Sequence, residues 1–196
     1  MSRAFQYYLI YKPYGMLSQF TKEGEWTTLS DLGYPFEKDV YPVGRLDADS
    51  EGLLLLTNDN QLKTRLLDPK NKHWRTYYVQ VEGIVTDEAC RKMSAGVTIS
   101  VNGKSYQTRR AMATPIDPPA LPERVPPIRV RKTIPDSWLS LSLSEGKNRQ
   151  VRKMTAAAGY PTLRLVRMAI GNLRPDDMKP GEVRELNKSA VLDAIR

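Results

Sequence analysis

The spacing of apolar and polar positions divides the chain into short elements. Residues 5–12 (Phe-Gln-Tyr-Tyr-Leu-Ile-Tyr-Lys) are rich in aromatic and β-branched types and predict a strand, halted by the turn Pro13-Tyr14-Gly15. A short helix is expected over 27–33. Residues 40–46 are expected to be extended, because Pro42 disfavours helix and suits a strand edge. Leu53 to Thr57 is apolar enough for a fully buried strand, and 60–67 is a short helix with Leu62, Leu66 and Leu67 turned inward. Residues 77–83 form a clear strand. Thr86 caps a helix through Ala95, which Gly96 closes. Strands are expected at 97–101 and 106–113 around the Asn102-Gly103 turn. The stretch 115–127 contains six prolines and is expected to be a loop, an insertion or hinge. Beyond it come a strand at 137–144, a helix at 148–158 ended by Gly159, strands at 162–170 and 183–186, and a last helix capped by Asn187.

Many strands joined by hairpins, with about five helices among them, point to an α+β fold built on a mainly antiparallel mixed sheet flanked by helices. At 196 residues the chain has room for one domain or two small subdomains. No apolar run approaches the length of a membrane span. Residues 1–6 lack the apolar stretch of a signal peptide, so a cytoplasmic protein is expected.

Charge narrows the choice of partner. The net charge is +8, unevenly spread: residues 1–60 carry 5 basic and 9 acidic side chains, whereas residues 61–135 carry 14 and 6. A mostly basic chain suits a polyanion such as nucleic acid, although a solvated basic surface without a partner has the same composition. One cysteine, Cys90, excludes an internal disulfide and a multi-cysteine zinc site. The single histidine, His73, has no metal-ligand spacing around it and fits a surface or loop position. An enzyme of this composition must work with carboxylates, tyrosine and arginine, and neither a metal nor another cofactor is expected.

Three segments are unlike ordinary core sequence. In Gly44-Arg45-Leu46-Asp47-Ala48-Asp49-Ser50-Glu51-Gly52, two glycines flank a polar loop that leads into the apolar strand, an arrangement that holds side chains well for chemistry. Three acids cannot all sit unpaired in a dry pocket, so one is expected inward and the others solvated. The same run also reads as an acidic turn with Arg45 as a surface ion pair. Gly146-Lys147-Asn148-Arg149-Gln150-Val151-Arg152-Lys153-Met154 opens a helix with Arg149, Arg152 and Lys153 on one face and Val151 and Met154 on another. Such a start suits phosphate, and it equally fits a solvated amphipathic helix. In Arg75-Thr76-Tyr77-Tyr78-Val79 the two tyrosines point to opposite faces of a strand, one toward core and one toward a cleft.

Together these segments resemble the RsuA/RluB/E/F-type pseudouridine synthases. Gly44-Arg45-Leu46-Asp47, followed by Ser50-Glu51-Gly52-Leu53-Leu54 and Thr57-Asn58-Asp59, is similar to the family's catalytic motif. Lys12-Pro13-Tyr14-Gly15 resembles its first motif, and Arg75-Thr76-Tyr77 its Lys/Arg-x-Tyr motif. Glu145 to Met154 resembles its C-terminal motif, with Lys153 where arginine is common, and Thr162 to Arg167 resembles the strand that follows. The motifs keep the family's order over about residues 7–186. The segments at 126–129 and 134–139 look most like the synthase E branch, which works on large-subunit (23S) ribosomal RNA. The resemblance implies a single catalytic domain of two intertwined subdomains around a cleft, without the N-terminal S4 RNA-binding domain found in many relatives.

The implied reaction breaks the C1′–N1 bond of a uridine, turns the uracil and joins C5 to C1′, with no redox change and no external group. By resemblance Asp47 is the essential carboxylate, attacking C1′ or taking a proton from C2′. Either role needs an ionised aspartate in a partly dry pocket, so a nearby cation must offset burial, and Arg152 is the candidate. Tyr77 is expected to stack on the uracil or help remove the C5 proton, and Val151 to wall the base. Arg45, Arg149, Lys153, Arg164 and Arg167 are the candidate contacts to RNA, with basic residues at 104–110 and 129–132. The target base must leave its stack, at a cost of a few kcal/mol. A monomer is expected, with ribosomal RNA as partner and no membrane. Two other classes remain open: an RNA chaperone or assembly factor on the same fold, and a glycosidase-like hydrolase using Asp47 with Asp49 or Glu51.

Overall fold

The computed structural model describes residues 4–128 and 133–195, so the expected basic residues at 129–132 lie outside the described part. The chain forms two compact units, one from Met1–His73 with Arg167–Arg196, the other from Trp74–Val166. Both are α+β and built largely on antiparallel strand pairs.

In the first unit, β1 (Tyr7–Lys12) lies between β10 (Val183–Leu186) and β3 (Glu51–Thr57), and the short β2 (Tyr41–Pro42) pairs with β3. Leu53, Leu54, Leu55 and Leu56 are all fully buried, so β3 is covered on both faces. Each such leucine contributes about 2 kcal/mol of apolar burial. Tyr8, Ile10, Leu54 and Leu56 share one cluster with Leu29 and Val40, which Phe20, Tyr34 and Phe36 close by edge-on ring contacts. Helix α1 (Asn60–Leu67) is capped by Asp59, whose carboxylate accepts from Leu62 N and from the Tyr7 hydroxyl at 2.8 Å. The expected helix at 27–33 is only a 3-10 turn, Leu29–Leu32, ended by Gly33. The final helix α4 (Lys188–Ala194) is capped by Asn187 as expected.

In the second unit, β4 (Arg75–Glu82) pairs with β8 (Asp136–Leu143), and β8 with β7 (Met112–Ile116). Helix α2 (Asp87–Ala95) begins at the Thr86 cap, and β5 (Thr98–Val101) and β6 (Lys104–Gln107) form a separate hairpin. Strand β9 (Thr162–Ile170) starts in this unit and ends in the first. Val79, Val81, Leu139, Leu141 and Met93 form its core with Val151 and Met154 of α3 (Gln150–Ala157).

Two expectations about elements change. The strand expected over 106–113 is two strands, because Thr108 donates to Val97 O and Ala111 to Ser94 O, which turns the chain from the hairpin to β8. The proline-rich loop yields its first two residues, Pro115 and Ile116, to β7, an outermost strand where a missing N–H is tolerated.

Candidate active site

The loop that carries Asp47 is pinned on both sides of that residue. On one side, Leu46 N donates to Ser18 Oγ at 3.0 Å, and Ser18 Oγ donates back to Leu46 O at 2.9 Å. On the other, Ala48 O accepts from Gly15 N at 2.7 Å and lies 3.4 Å from Lys12 Nζ. A further bond, Ser50 N to Asp47 O, closes the turn. Leu46 and Ser50 are buried, while Asp47, Ala48 and Asp49 are half-buried. Backbone bonds on both sides of Asp47 fix the base of its side chain. Gly52 then enters β3 with φ of 97°, a conformation that a side chain would strain, opposite Lys12 of β1.

Lys12 is fully buried, and its ammonium donates to Met16 O at 2.7 Å and Pro13 O at 2.9 Å. Burial pulls its pKa down to about 7 against the pull of Glu51, Asp49 and Asp47 in the opposite direction, with Arg167 adding to the lowering. Of the three acids in the loop, Glu51 is the inward one, at 2% exposure. Neither Lys12 nor Glu51 figured among the expected site residues. The signal available was a lysine ending an otherwise aromatic strand and an acid directly before an apolar one.

Among the expected RNA contacts of the first unit, Arg45 is exposed, and its guanidinium donates to Gln19 Oε1 at 3.2 Å. Gln19 is in turn bonded to Glu23 at 3.2 Å. Arg167 is different: it is buried, and its Nε donates to Leu53 O at 2.8 Å. Arg164, in the second unit, is buried too and donates to Pro122 O at 2.7 Å. In each, one guanidinium nitrogen bonds a backbone carbonyl within its own unit.

In the second unit, Tyr77 stands opposite Leu141 and lies against the same core cluster as Val79, Val81, Val151 and Met154. The structure thus brings Tyr77 and Val151 into one cluster. Tyr77 remains half-buried, as does Tyr78 on the opposite face of β4. Helix α3 begins at Gln150, two residues later than expected, because Arg149 adopts left-handed backbone angles (φ 53°, ψ 33°). Val151 points inward at 4% exposure, Arg152 and Lys153 are half-exposed, and Arg149 is exposed. Lys153 reaches Asn148 Oδ1 at 3.4 Å. Among the described residues, no three His, Cys, Asp or Glu side chains gather as a metal ion would require. His73 sits in the loop before β4 and is half-buried.

Residues 6–157 match the family described as RNA pseudouridylate synthase. The chain belongs to that family. Its members isomerise uridine to pseudouridine in RNA, so this pseudouridylate synthase is an isomerase. It is 51% identical over 175 residues to ribosomal large subunit pseudouridine synthase E of Xanthomonas axonopodis pv. citri, covering 88% of this chain and 89% of that one. The protein of the same name from Vibrio parahaemolyticus is 47% identical over 89% of this chain and 71% of its own length. Ribosomal large subunit pseudouridine synthase B of Bacillus subtilis is 32% identical over 94% of this chain and 69% of its own. A crystal structure of a pseudouridylate synthase superposes with a TM-score of 0.77 at 27% identity, over 98% of this chain and 74% of that one. The human RNA pseudouridylate synthase domain containing 1 shares the fold, with a TM-score of 0.57 at 15% identity, over 94% of this chain and 80% of the human one.

Proposed function

We propose that this pseudouridylate synthase isomerises one specific uridine of large-subunit (23S) ribosomal RNA, with Asp47 as the catalytic carboxylate. The observation that carries the RNA assignment is the near end-to-end similarity to proteins named for that substrate, led by 51% identity over 88% of the chain. The assignment of Asp47 is supported by its loop, in which the Leu46 and Ala48 backbones are held by Ser18, Gly15 and Lys12 while the Asp47 side chain stays half-buried.

In the reaction, the C1′–N1 bond breaks and C1′–C5 forms. The proton leaving C5 is balanced by one gained at N1, so substrate and product are isomers and no cofactor is consumed. Asp47 acts at the sugar, as nucleophile at C1′ or base at C2′. Tyr77 and Val151, packed in one cluster, offer an aromatic and an apolar surface for the uracil. Arg152 supplies positive charge to the reacting nucleotide, while Arg45, Arg149 and Lys153 hold the RNA backbone. The protein works as a monomer in the cytoplasm. No helix among the described residues is long and apolar enough to cross a membrane.

The test uses ribosomal RNA tritiated at uridine C5. Wild type should release tritium to water, and Asp47→Asn should release none while binding the same RNA within about threefold, because only the reacting group has changed. Release by the Asp47→Asn protein would remove Asp47 from the mechanism. Free uracil in place of pseudouridine would indicate a hydrolase.

A further inference from the structure

Glu145 follows β8 (Asp136–Leu143) by two residues. It is 7% exposed, and its carboxylate accepts from the Tyr106 hydroxyl at 2.6 Å, from Arg109 N at 2.9 Å and from Gln150 Nε2 at 2.6 Å. Arg109 Nε lies 3.9 Å away. Tyr106 belongs to β6, Arg109 to the loop after it, and Gln150 is the first residue of α3. One carboxylate therefore ties three separate segments together.

The consequence reaches the start of α3. Gln150 is itself buried, and with its amide nitrogen on Glu145 its Oε1 is turned to accept Lys147 N at 2.9 Å. Lys147 O in turn accepts from Gln150 N at 3.1 Å. The loop 146–149 is closed tightly enough that Arg149 takes its left-handed backbone, which a residue with a Cβ adopts only when its surroundings impose it. Arg149, Val151 and Arg152 take their directions from that turn. The other two bonds fasten the hairpin and the loop after it, which carry the exposed Lys104, Arg109 and Arg110, and Lys147 adds a contact of 4.7 Å to the Tyr106 ring. Burial raises the carboxyl pKa, but the bonds from Tyr106, Arg109 and Gln150 outweigh burial and hold it below the ordinary glutamate range. Ionised, it accepts from all three donors with both oxygens, whereas a protonated carboxyl would turn one oxygen into a donor.

We propose that Glu145 is a positioning residue for uridine isomerisation: through Gln150 it sets the turn that aims Arg149, Val151 and Arg152, and through Tyr106 and Arg109 it fixes the basic hairpin to the same point. The proposal rests on the reading of this chain as a working synthase, and the experiment separates the two.

Tritium release from C5-labelled ribosomal RNA is measured for wild type, Glu145→Gln, Tyr106→Phe and Arg152→Lys, and for Glu145→Gln combined with Arg152→Lys. Glu145→Gln keeps the shape and loses the charge, and its kcat should fall roughly ten- to a hundredfold, as expected when reacting groups are misplaced. Tyr106→Phe releases only the hairpin, so KM for RNA should rise about threefold with kcat held, a split that general loosening does not produce. In the Arg152→Lys background, Glu145→Gln should cost clearly less than in wild type, because the part of its effect carried by Arg152 is already lost. A wild-type kcat and KM in Glu145→Gln, or a loss of the same factor in both backgrounds, would overturn the proposal. Should Glu145→Gln not fold, Gln150→Leu cuts the link to α3 while leaving the Tyr106 and Arg109 bonds of Glu145 in place, and it carries the same test: wild-type kcat there overturns the proposal as well. Wild type that releases no tritium overturns instead the reading of the chain as an active synthase on this RNA.

Discussion

The ammonium of Lys12 lies 3.4 Å from the carbonyl oxygen of Ala48, the residue that follows Asp47. A fully buried lysine therefore shares the task of fixing the Asp47 loop with the backbone N–H of Gly15, which donates to the same oxygen at 2.7 Å. Its other bonds, to Pro13 O and Met16 O, hold the turn that leads from β1 toward that loop. Buried cations are costly unless fully bonded, and the carbonyls satisfy the donors while Glu51, Asp49 and Asp47 supply opposing charge.

Replacing this lysine by methionine should lower kcat about tenfold through a loosened Asp47 loop. It should also leave a signature in the pH dependence of stability. The folded pKa of Lys12 is about 7, against an ordinary value of 10.5. Between those values the unfolded chain binds the extra proton, so the Lys12 contribution to stability rises with pH across that window and is flat below it. Urea unfolding of wild type and Lys12→Met at about pH 6, 8 and 10 should show wild type gaining on the variant as pH rises. A constant gap would mean that Lys12 does not titrate there.

Leu54 is fully buried in β3, in the cluster with Tyr8, Ile10 and Leu56. Leu54→Ala should cost about 2–5 kcal/mol in chemical denaturation, from lost burial and the cavity left behind. A smaller loss would show that the cluster collapses to fill the space.

Arg149 is exposed and Lys153 half-exposed at the start of α3. If each neutralises a phosphate, Arg149→Ala and Lys153→Ala should each reduce the slope of log affinity against log salt concentration by about one, with binding weakened evenly across RNA sequences. An unchanged slope for either variant would take that residue off the RNA.

Arg164 donates to Pro122 O and Arg167 to Leu53 O, and both are buried. Arg164→Met and Arg167→Met should lower the melting temperature by several degrees while leaving the salt slope of RNA binding as in wild type, if the bonds to backbone carbonyls are their main role. A reduced slope with unchanged stability would make them RNA contacts.

Much of the fold was legible from local pattern. The apolar run at 53–57, the alternation at 137–144, the Thr86 and Asn187 caps and the Asn102-Gly103 turn all act within a few residues of themselves, and each element formed where that pattern placed it. Where the expectations moved, a distant partner was responsible. The strand expected at 106–113 divided because Thr108 and Ala111 bond to Val97 and Ser94. The helix expected from 148 starts at 150 because Glu145 and Gln150 hold the preceding loop.

The sequence by itself determined the order of elements, the family motifs and the acidic loop around Asp47, because periodicity, turn chemistry and motif spacing are properties of neighbouring residues. Only the tertiary structure decided which charged groups face inward. Ser18 and Lys12 reach the Asp47 loop across 28 and 36 positions of chain, and Arg164 and Arg167 turn to carbonyls at Pro122 and Leu53. A buried charge survives where distant donors and acceptors are desolvated together, and that depends on the pairing of remote segments, which no local pattern records.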